Sequence, residues 1–192
     1  IRNQASIGGN LCTSSPIGDL APIFLVLNSE LTLNNGKGIK KINLENFFKG
    51  YRQNILNKKS FLQSISFLLP KKEYQFFSWK YSKRYDQDIS TVSLAILIKV
   101  QNSYISDIKI TAGGVYEKPI LLKNLSKFLI NKNIDILLSN LENVIQKDIS
   151  PISDFRGTSE YRSQVVSNSF KKLSRFLNKN FEINNIMEVG NG

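Results

Sequence analysis

The hydrophobic period changes once along the second half of this chain, and that change limits the folds open to it. Ahead of about residue 111, apart from an apolar run at 21–27, several stretches alternate apolar with polar residues, as in Glu30-Leu31-Thr32-Leu33 and Phe61-Leu62-Gln63-Ser64-Ile65-Ser66-Phe67. Alternation suits half-buried strands. Beyond residue 120 they recur every three or four positions: Leu121, Leu122, Leu125, Phe128 and Leu129, then Ile134, Leu137, Leu138, Leu141, Val144 and Ile145. That spacing predicts helices. Strands followed by helices, rather than strict alternation of the two, point to an α+β fold.

The 192 residues suffice for one ordinary domain or two small ones, and apolar residues make up 41%, enough for a core. Lys+Arg exceed Asp+Glu by 26 to 15, a formal charge of +11. Nucleic acid is one partner for such a charge. Lys, Asn and Ile, however, together supply about a third of the chain, a bias typical of AT-rich coding. The lysines are scattered, so no nucleic-acid partner is expected. The single cysteine, Cys12, excludes an internal disulfide and suggests a reducing, cytoplasmic setting. With no histidine, a zinc centre or a His-based triad has no ligands or base, and no iron–sulfur spacing exists. No apolar run approaches the ~20 residues of a membrane span, so no membrane partner is expected. The chain begins with Ile rather than Met and reads as a piece of something longer.

In order, residues 1–19 read as loop, 20–28 as helix, and Glu30–Leu33 and Ile39–Leu44 as strands around the turn Asn34-Asn35-Gly36-Lys37-Gly38. Residues 45–52 read as a short helix or turn, and 54–60 as a linker. Strands are expected at 61–67, 73–81, 96–100 and 105–111. Ile89 to Ala95 reads as a helix start capped by Asp88, and Ala112-Gly113-Gly114-Val115 as a bulge or close backbone approach. The last helix starts near Thr158, with Tyr161, Val165, Phe170, Leu173 and Leu177 on one face, and residues 182–192 read as a frayed tail. The expected division is 1–56, 57–182 and a tail at 183–192.

The stretch with most chemistry is Ser6-Ile7-Gly8-Gly9-Asn10, followed by Ser15-Pro16-Ile17-Gly18-Asp19. Paired glycines allow close approach of backbone to a ligand, and successive amides can form an anion nest. Ser6 and Asn10 add polar side chains, and Asp19 can accept from hydroxyls or cap the following helix. This is neither the three-glycine dinucleotide fingerprint nor a P-loop. Taken alone, a Gly-Gly-Asn turn is more often a plain turn.

Four stretches in register resemble the FAD subunits of the molybdenum hydroxylases, a group that includes xanthine dehydrogenase, aldehyde oxidase and the carbon monoxide dehydrogenase medium subunit. They are Ile1–Asp19, Phe47-Phe48-Lys49-Gly50-Tyr51-Arg52, Lys80–Ser90 (Lys-x-x-x-Arg, then Asp-Ile) and Pro151–Arg162 (Asp-x-Arg, then Glu-Tyr-Arg). Gly113-Gly114 falls where the family has a Gly-Gly pair. The wording is most similar to the flavin-bearing subunit of bacterial xanthine dehydrogenase.

The resemblance implies the C-terminal part of an FAD-binding α+β domain, followed by a small domain of antiparallel sheet and helices. It implies FAD contacts from Ser6, Ile7, Gly8, Gly9 and Asn10 to the diphosphate and flavin, and from Asp19 to ribityl or ribose hydroxyls. Leu62 would meet the isoalloxazine edge, Lys80 a flavin carbonyl, and the 83–88 loop would lie over the flavin. No residue is assigned catalysis. The implied partners are a molybdenum-cofactor subunit, an upstream half carrying iron–sulfur clusters and the rest of the FAD site, and NAD as electron acceptor. From the residues alone, Leu62 reads equally well as core, Lys80 as a solvated strand residue and Asp19 as a helix cap. Asp154, Arg156, Glu160 and Arg162 read as a structural cluster, and Cys12 as a buried bystander. A non-catalytic assembly fragment, or the flavoprotein of a related aldehyde- or carbon monoxide-oxidising enzyme, is the alternative.

Overall fold

The computed structural model describes residues 5–85 and 88–178. Residues 1–4 and 86–87 and the expected frayed tail lie outside the described residues. The chain begins with two short helices, α1 (Ile7–Cys12) and α2 (Leu20–Val26). The loop expected over residues 1–19 therefore contains a helical turn and a half. Ser6 starts it by accepting the Gly9 amide on its Oγ at 3.0 Å, an N-cap that offsets the poor helix propensity of Gly8 and Gly9. Buried Leu11 anchors its inner face.

The expected hairpin follows. β1 (Glu30–Asn34) and β2 (Ile39–Asn43) pair antiparallel, Glu30 opposite Asn43. Gly36 takes φ +77° in the turn, where the Asn34 and Asn35 side chains accept the amides of residues 36–38. A 3₁₀ turn (Leu44–Asn46) leads to a small hairpin of β3 (Phe48–Gly50) and β4 (Gln53–Asn54), in place of the short helix or turn expected there. β5 (Phe61–Ser66) then pairs with β1, giving the sheet order β2-β1-β5. A division after residue 56 assigns this strand to the second unit. Its pairing places it in the first, and the chain changes sheets between Ser66 and Tyr74. The first core gathers Leu11, Phe24, Leu25, Leu31, Leu44 and Phe47 under this sheet.

The second sheet is antiparallel, in order β6 (Tyr74–Tyr81), β7 (Val92–Gln101), β8 (Tyr104–Gly113) and β9 (Ile120–Leu121). The helix start expected at Ile89–Ala95 is absent. Asp88 caps no helix; its carboxylate accepts the Arg84 and Ile89 amides at 3.0 and 2.8 Å, and Val92 begins a ten-residue strand. Helices follow on one face: α3 (Lys123–Leu129), a 3₁₀ turn (Ile134–Leu138), α4 (Glu142–Ile145) and α5 (Ser159–Leu177). The helical spacing through 134–145 resolves into two short turns rather than one helix.

Val92, Leu94, Ile96 and Ile98 of β7 and Ile108, Ile110 and Ala112 of β8 meet Val166, Phe170 and Leu173 of α5 in the second core. The Thr158 hydroxyl caps α5 by accepting the Tyr161 amide. Its buried face is Arg162, Val166, Ser169, Phe170 and Leu173; Tyr161, expected on that face, is exposed. The opposite face of β7 and β8 meets α2, where the Thr111 hydroxyl donates to Pro22 O at 2.7 Å. Thus α2 lies between the first unit and the second sheet. No helix among the described residues is long and apolar enough to cross a membrane.

Candidate functional site

The eight residues singled out above fall into one connected set around α1. Ser6 caps it, and an added Cβ at Gly9 would lie only 3.0 Å from Ser6 Oγ. An added Cβ at Gly8 would touch Leu62 Cδ2 at 4.0 Å, so β5 borders α1 at its glycine end. Asn10 lies against Gly18, whose added Cβ would sit 3.4 Å from Asn10 Oδ1. That oxygen is buried and has no hydrogen-bond partner among the described residues. Ile7 is exposed beside the cap. Leu62 is half-buried against the first core, so its core reading holds in part.

Asp19 follows Gly18 and occupies the position before α2, yet its side chain caps nothing. Its Oδ2 instead accepts from Lys80 Nζ at 2.8 Å, and its Oδ1 accepts from the Ser90 hydroxyl. Lys80 is thus tied to the first unit rather than pointing into solvent alone. The pair remains open to solvent, with side chains 43% and 39% exposed. Ser90 was not among the residues singled out. The only signal for it is position, two residues past Asp88 in the same motif.

The 83–88 loop leads into Ser90. Asp88 is held below the usual carboxylate range, chiefly by the amides of Arg84 and Ile89, and faces Arg84 and Arg156 at 3.8 and 3.7 Å. Lys83 Nζ donates to Phe155 O at 2.5 Å. Behind this turn Arg162 is almost wholly buried. Its guanidinium donates to Thr91 O, to Gly114 O at 3.0 Å and to Asp154 Oδ1 at 2.7 Å. Burial pushes the Asp154 carboxyl up, but bonds from the Arg156 amide, Arg162 and the Gly157 amide outweigh it, and its pKa falls below the usual value. Asp154 and Arg162 thus tie the last helix to the second sheet, while Glu160 instead accepts from the Ser159 hydroxyl.

Gly113-Gly114 is the close approach expected. Gly114 has φ +82°, its amide donates to Pro16 O at 2.7 Å, and an added Cβ would sit 2.2 Å from Thr91 O. Cys12 is half-buried, and burial pushes its thiol up. Among the described residues no group of His, Cys, Asp or Glu could hold a metal. A cavity of about 360 Å³ opens elsewhere, beside the β1–β2 hairpin. A second, of about 310 Å³, adjoins the Ser15–Asp19 loop, with walls from Pro16, Ile17, Tyr51, Arg52, Tyr116 and Ile152.

The donor set suits a flavin dinucleotide. The buried, unpartnered Asn10 oxygen and the exposed Asp19 carboxylate can accept from hydroxyls. The absence of a Cβ at Gly8 and Gly9 leaves the backbone there open to close approach, with Leu62 beside Gly8.

The chain thus folds as two units with separate cores, and the polar residues around α1 meet the second sheet at Asp19. Residues 1–71 match the FAD binding domain in molybdopterin dehydrogenase, and residues 77–176 match the CO dehydrogenase flavoprotein C-terminal domain. The chain belongs to this family of FAD-binding subunits, and FAD is the cofactor of its matched domain.

The glyceraldehyde dehydrogenase medium chain of Sulfolobus acidocaldarius is 30% identical over 167 residues, 86% of this chain and 59% of the relative. Xanthine dehydrogenase 1 of Arabidopsis thaliana is 32% identical over 187 residues, 94% of this chain and 14% of the relative. The xanthine dehydrogenase FAD-binding subunit of Escherichia coli O157:H7 is 27% identical over 176 residues, 90% of this chain and 60% of the relative. Among solved structures, the cyanide-inactivated Cu,Mo-CO dehydrogenase superposes with a TM-score of 0.81 at 20% identity, over 89% of this chain and 60% of that one. That likeness establishes the α+β fold. The chain therefore spans at most about six-tenths of these relatives.

Proposed function

We propose that this chain forms one wall of the FAD site in a xanthine dehydrogenase-like molybdenum hydroxylase of purine catabolism, set in the cytoplasm. Asp19 carries the proposal: it sits between Ser90 and Lys80 of the second unit and next to Gly18, which touches Asn10. In this reading Ser6, Ile7, Gly8, Gly9 and Asn10 bind the diphosphate and adjoining flavin atoms, and Asp19 accepts from ribityl hydroxyls. Leu62 meets the ring edge, and Lys80 offers a cation to a flavin carbonyl. Lys80 and Asp19 keep one another oriented, and water reaches both.

When bound, FAD supplies the exchange between single electrons arriving from iron–sulfur clusters and hydride delivered to NAD. The clusters, the molybdenum centre and the rest of the FAD site belong to an upstream half and a molybdenum-cofactor subunit. NAD as the acceptor follows from the xanthine dehydrogenase-like reading of the family, not from a cavity of this chain. The test is a titration with FAD, read by flavin absorbance, of the chain alone and of the chain joined to the proposed upstream half. Binding by the joined form supports the reading, and absence of binding in both forms overturns it.

A further inference from the structure

We infer that Arg156 is a positioning residue for the flavin wall, acting through Asp88 and Ser90 on Asp19; this rests on the reading of Asp19 and Lys80 given above. Two arginines face the Asp88 carboxylate at nearly equal distances, but they are not equivalent. The Arg84 side chain is 76% exposed, whereas Arg156 is 17% and Asp88 only 9% exposed. Water screens an exposed pair more than a shielded one, so Arg156 is the better-shielded cation beside Asp88, added to the Arg84 and Ile89 amides that hold the carboxylate.

The turn that carries Arg156 grips the loop at both ends. Phe155 O receives Lys83 Nζ at the near end, and the Arg156 guanidinium faces Asp88 at the far end. The turn itself cannot drift. Asp154 N donates to Gly157 O at 3.0 Å, Asp154 takes Arg162 Nη2 at 2.7 Å, and Arg156 O accepts from the Thr91 hydroxyl at 3.4 Å. The Arg156 guanidinium also lies 4.8 Å from the Phe155 ring centroid.

From Asp88 the fixed point passes two residues along the chain to Ser90, whose hydroxyl donates to Asp19. Asp19 in turn holds Lys80. Freeing Asp88 loosens Ser90 and gives Asp19 and Lys80 a wider range of positions. Among the described residues Arg156 makes no hydrogen bond or ion pair with Ser6–Asn10, Asp19, Leu62 or Lys80, so its effect on them runs through Asp88 and Ser90.

The experiment compares Arg156→Gln, Arg156→Lys, Asp88→Asn and the double variant in the full FAD-bearing enzyme. FAD affinity is read by titration, and exchange of the Arg84 and Ile89 amides is read in the flavin-free protein. We expect Arg156→Gln to weaken FAD about tenfold and to speed exchange at both amides. Arg156→Lys recovers part of the affinity, and the double variant is no weaker than Asp88→Asn alone. Unchanged FAD affinity in Arg156→Gln, or additive losses in the double variant, overturns the inference. If the parent enzyme binds no FAD, the reading of the wall fails; the exchange rates then decide the role of Arg156, with unchanged rates overturning it.

Discussion

Lys80 Nζ and Asp19 Oδ2 meet at 2.8 Å across a sequence gap of 61 residues, joining the strand that opens the second sheet to the loop that precedes α2. Both side chains are more than one-third exposed, so the pair adds little to folding, about 0–1 kcal/mol. In the proposed reading its importance lies with the ligand. Asp19→Asn and Lys80→Gln are expected to weaken FAD about tenfold or more while leaving urea unfolding within about 1 kcal/mol of the parent. Paired titration and unfolding curves check this, and a large stability loss in either variant would show the pair to be structural.

Arg162 presents the opposite balance. It is 1% exposed and satisfies two backbone carbonyls and Asp154. Arg162→Met leaves Thr91 O and Gly114 O without their donor and Asp154 without its cation. The expected loss is about 3–5 kcal/mol, and Arg162→Lys recovers only part of it because an ammonium cannot reproduce the fork. Equilibrium unfolding in urea measures both.

Two glycines with similar φ separate strain from crowding. Gly36 has φ +77° with open space around it, and Gly114 has φ +82° with Thr91 O at 2.2 Å from an added Cβ. Gly36→Ala is expected to cost about 1 kcal/mol, the conformational penalty alone. Gly114→Ala adds a backbone clash and is expected to cost about 3 kcal/mol or more. Thermal melts of the two variants side by side test the contrast.

Asp154 has its folded-state pKa lowered, so it stabilises the fold above its unfolded value, about 3.9, and that stabilisation is lost as pH falls through the lower folded value. Asp154→Asn should therefore flatten the acid limb of the stability–pH curve below about pH 4. Above that pH the variant should be uniformly weaker than the parent. Unfolding curves collected from pH 2 to 7 give the comparison.

Legibility from sequence followed the environment of each residue. The β1–β2 hairpin was legible because its turn demands Asn and Gly and β1 alternates cleanly. The start of β7 was not, because Val92 through Ile96 are buried on both faces and lose the two-residue period. α1 escaped notice since six residues with two glycines carry no helical pattern; a single cap and the burial of Leu11 form it. β5 was legible as a strand, but its partner was not, since pairing with β1 depends on contacts about thirty residues away.

The site divides in the same manner. Asp19 and Lys80 could each be picked out from their motifs, while their contact, and the Ser90 hydroxyl on the other oxygen of Asp19, exist only once the two units meet. The motif around Pro151–Arg162 signalled structure, and its geometry bears that reading out.

Pro16 O receives the amide of Gly114, and Asp19 receives groups from residues 80 and 90, so the proposed cofactor wall is completed by segments made much later. Residues 1–71 can gather their own core before Lys80 and Ser90 are made, so in the proposed reading Asp19 waits for its anchors. A ribosome-bound intermediate halted before β6 should hold flavin more weakly than the finished chain, which makes cofactor capture a report on a completed second unit.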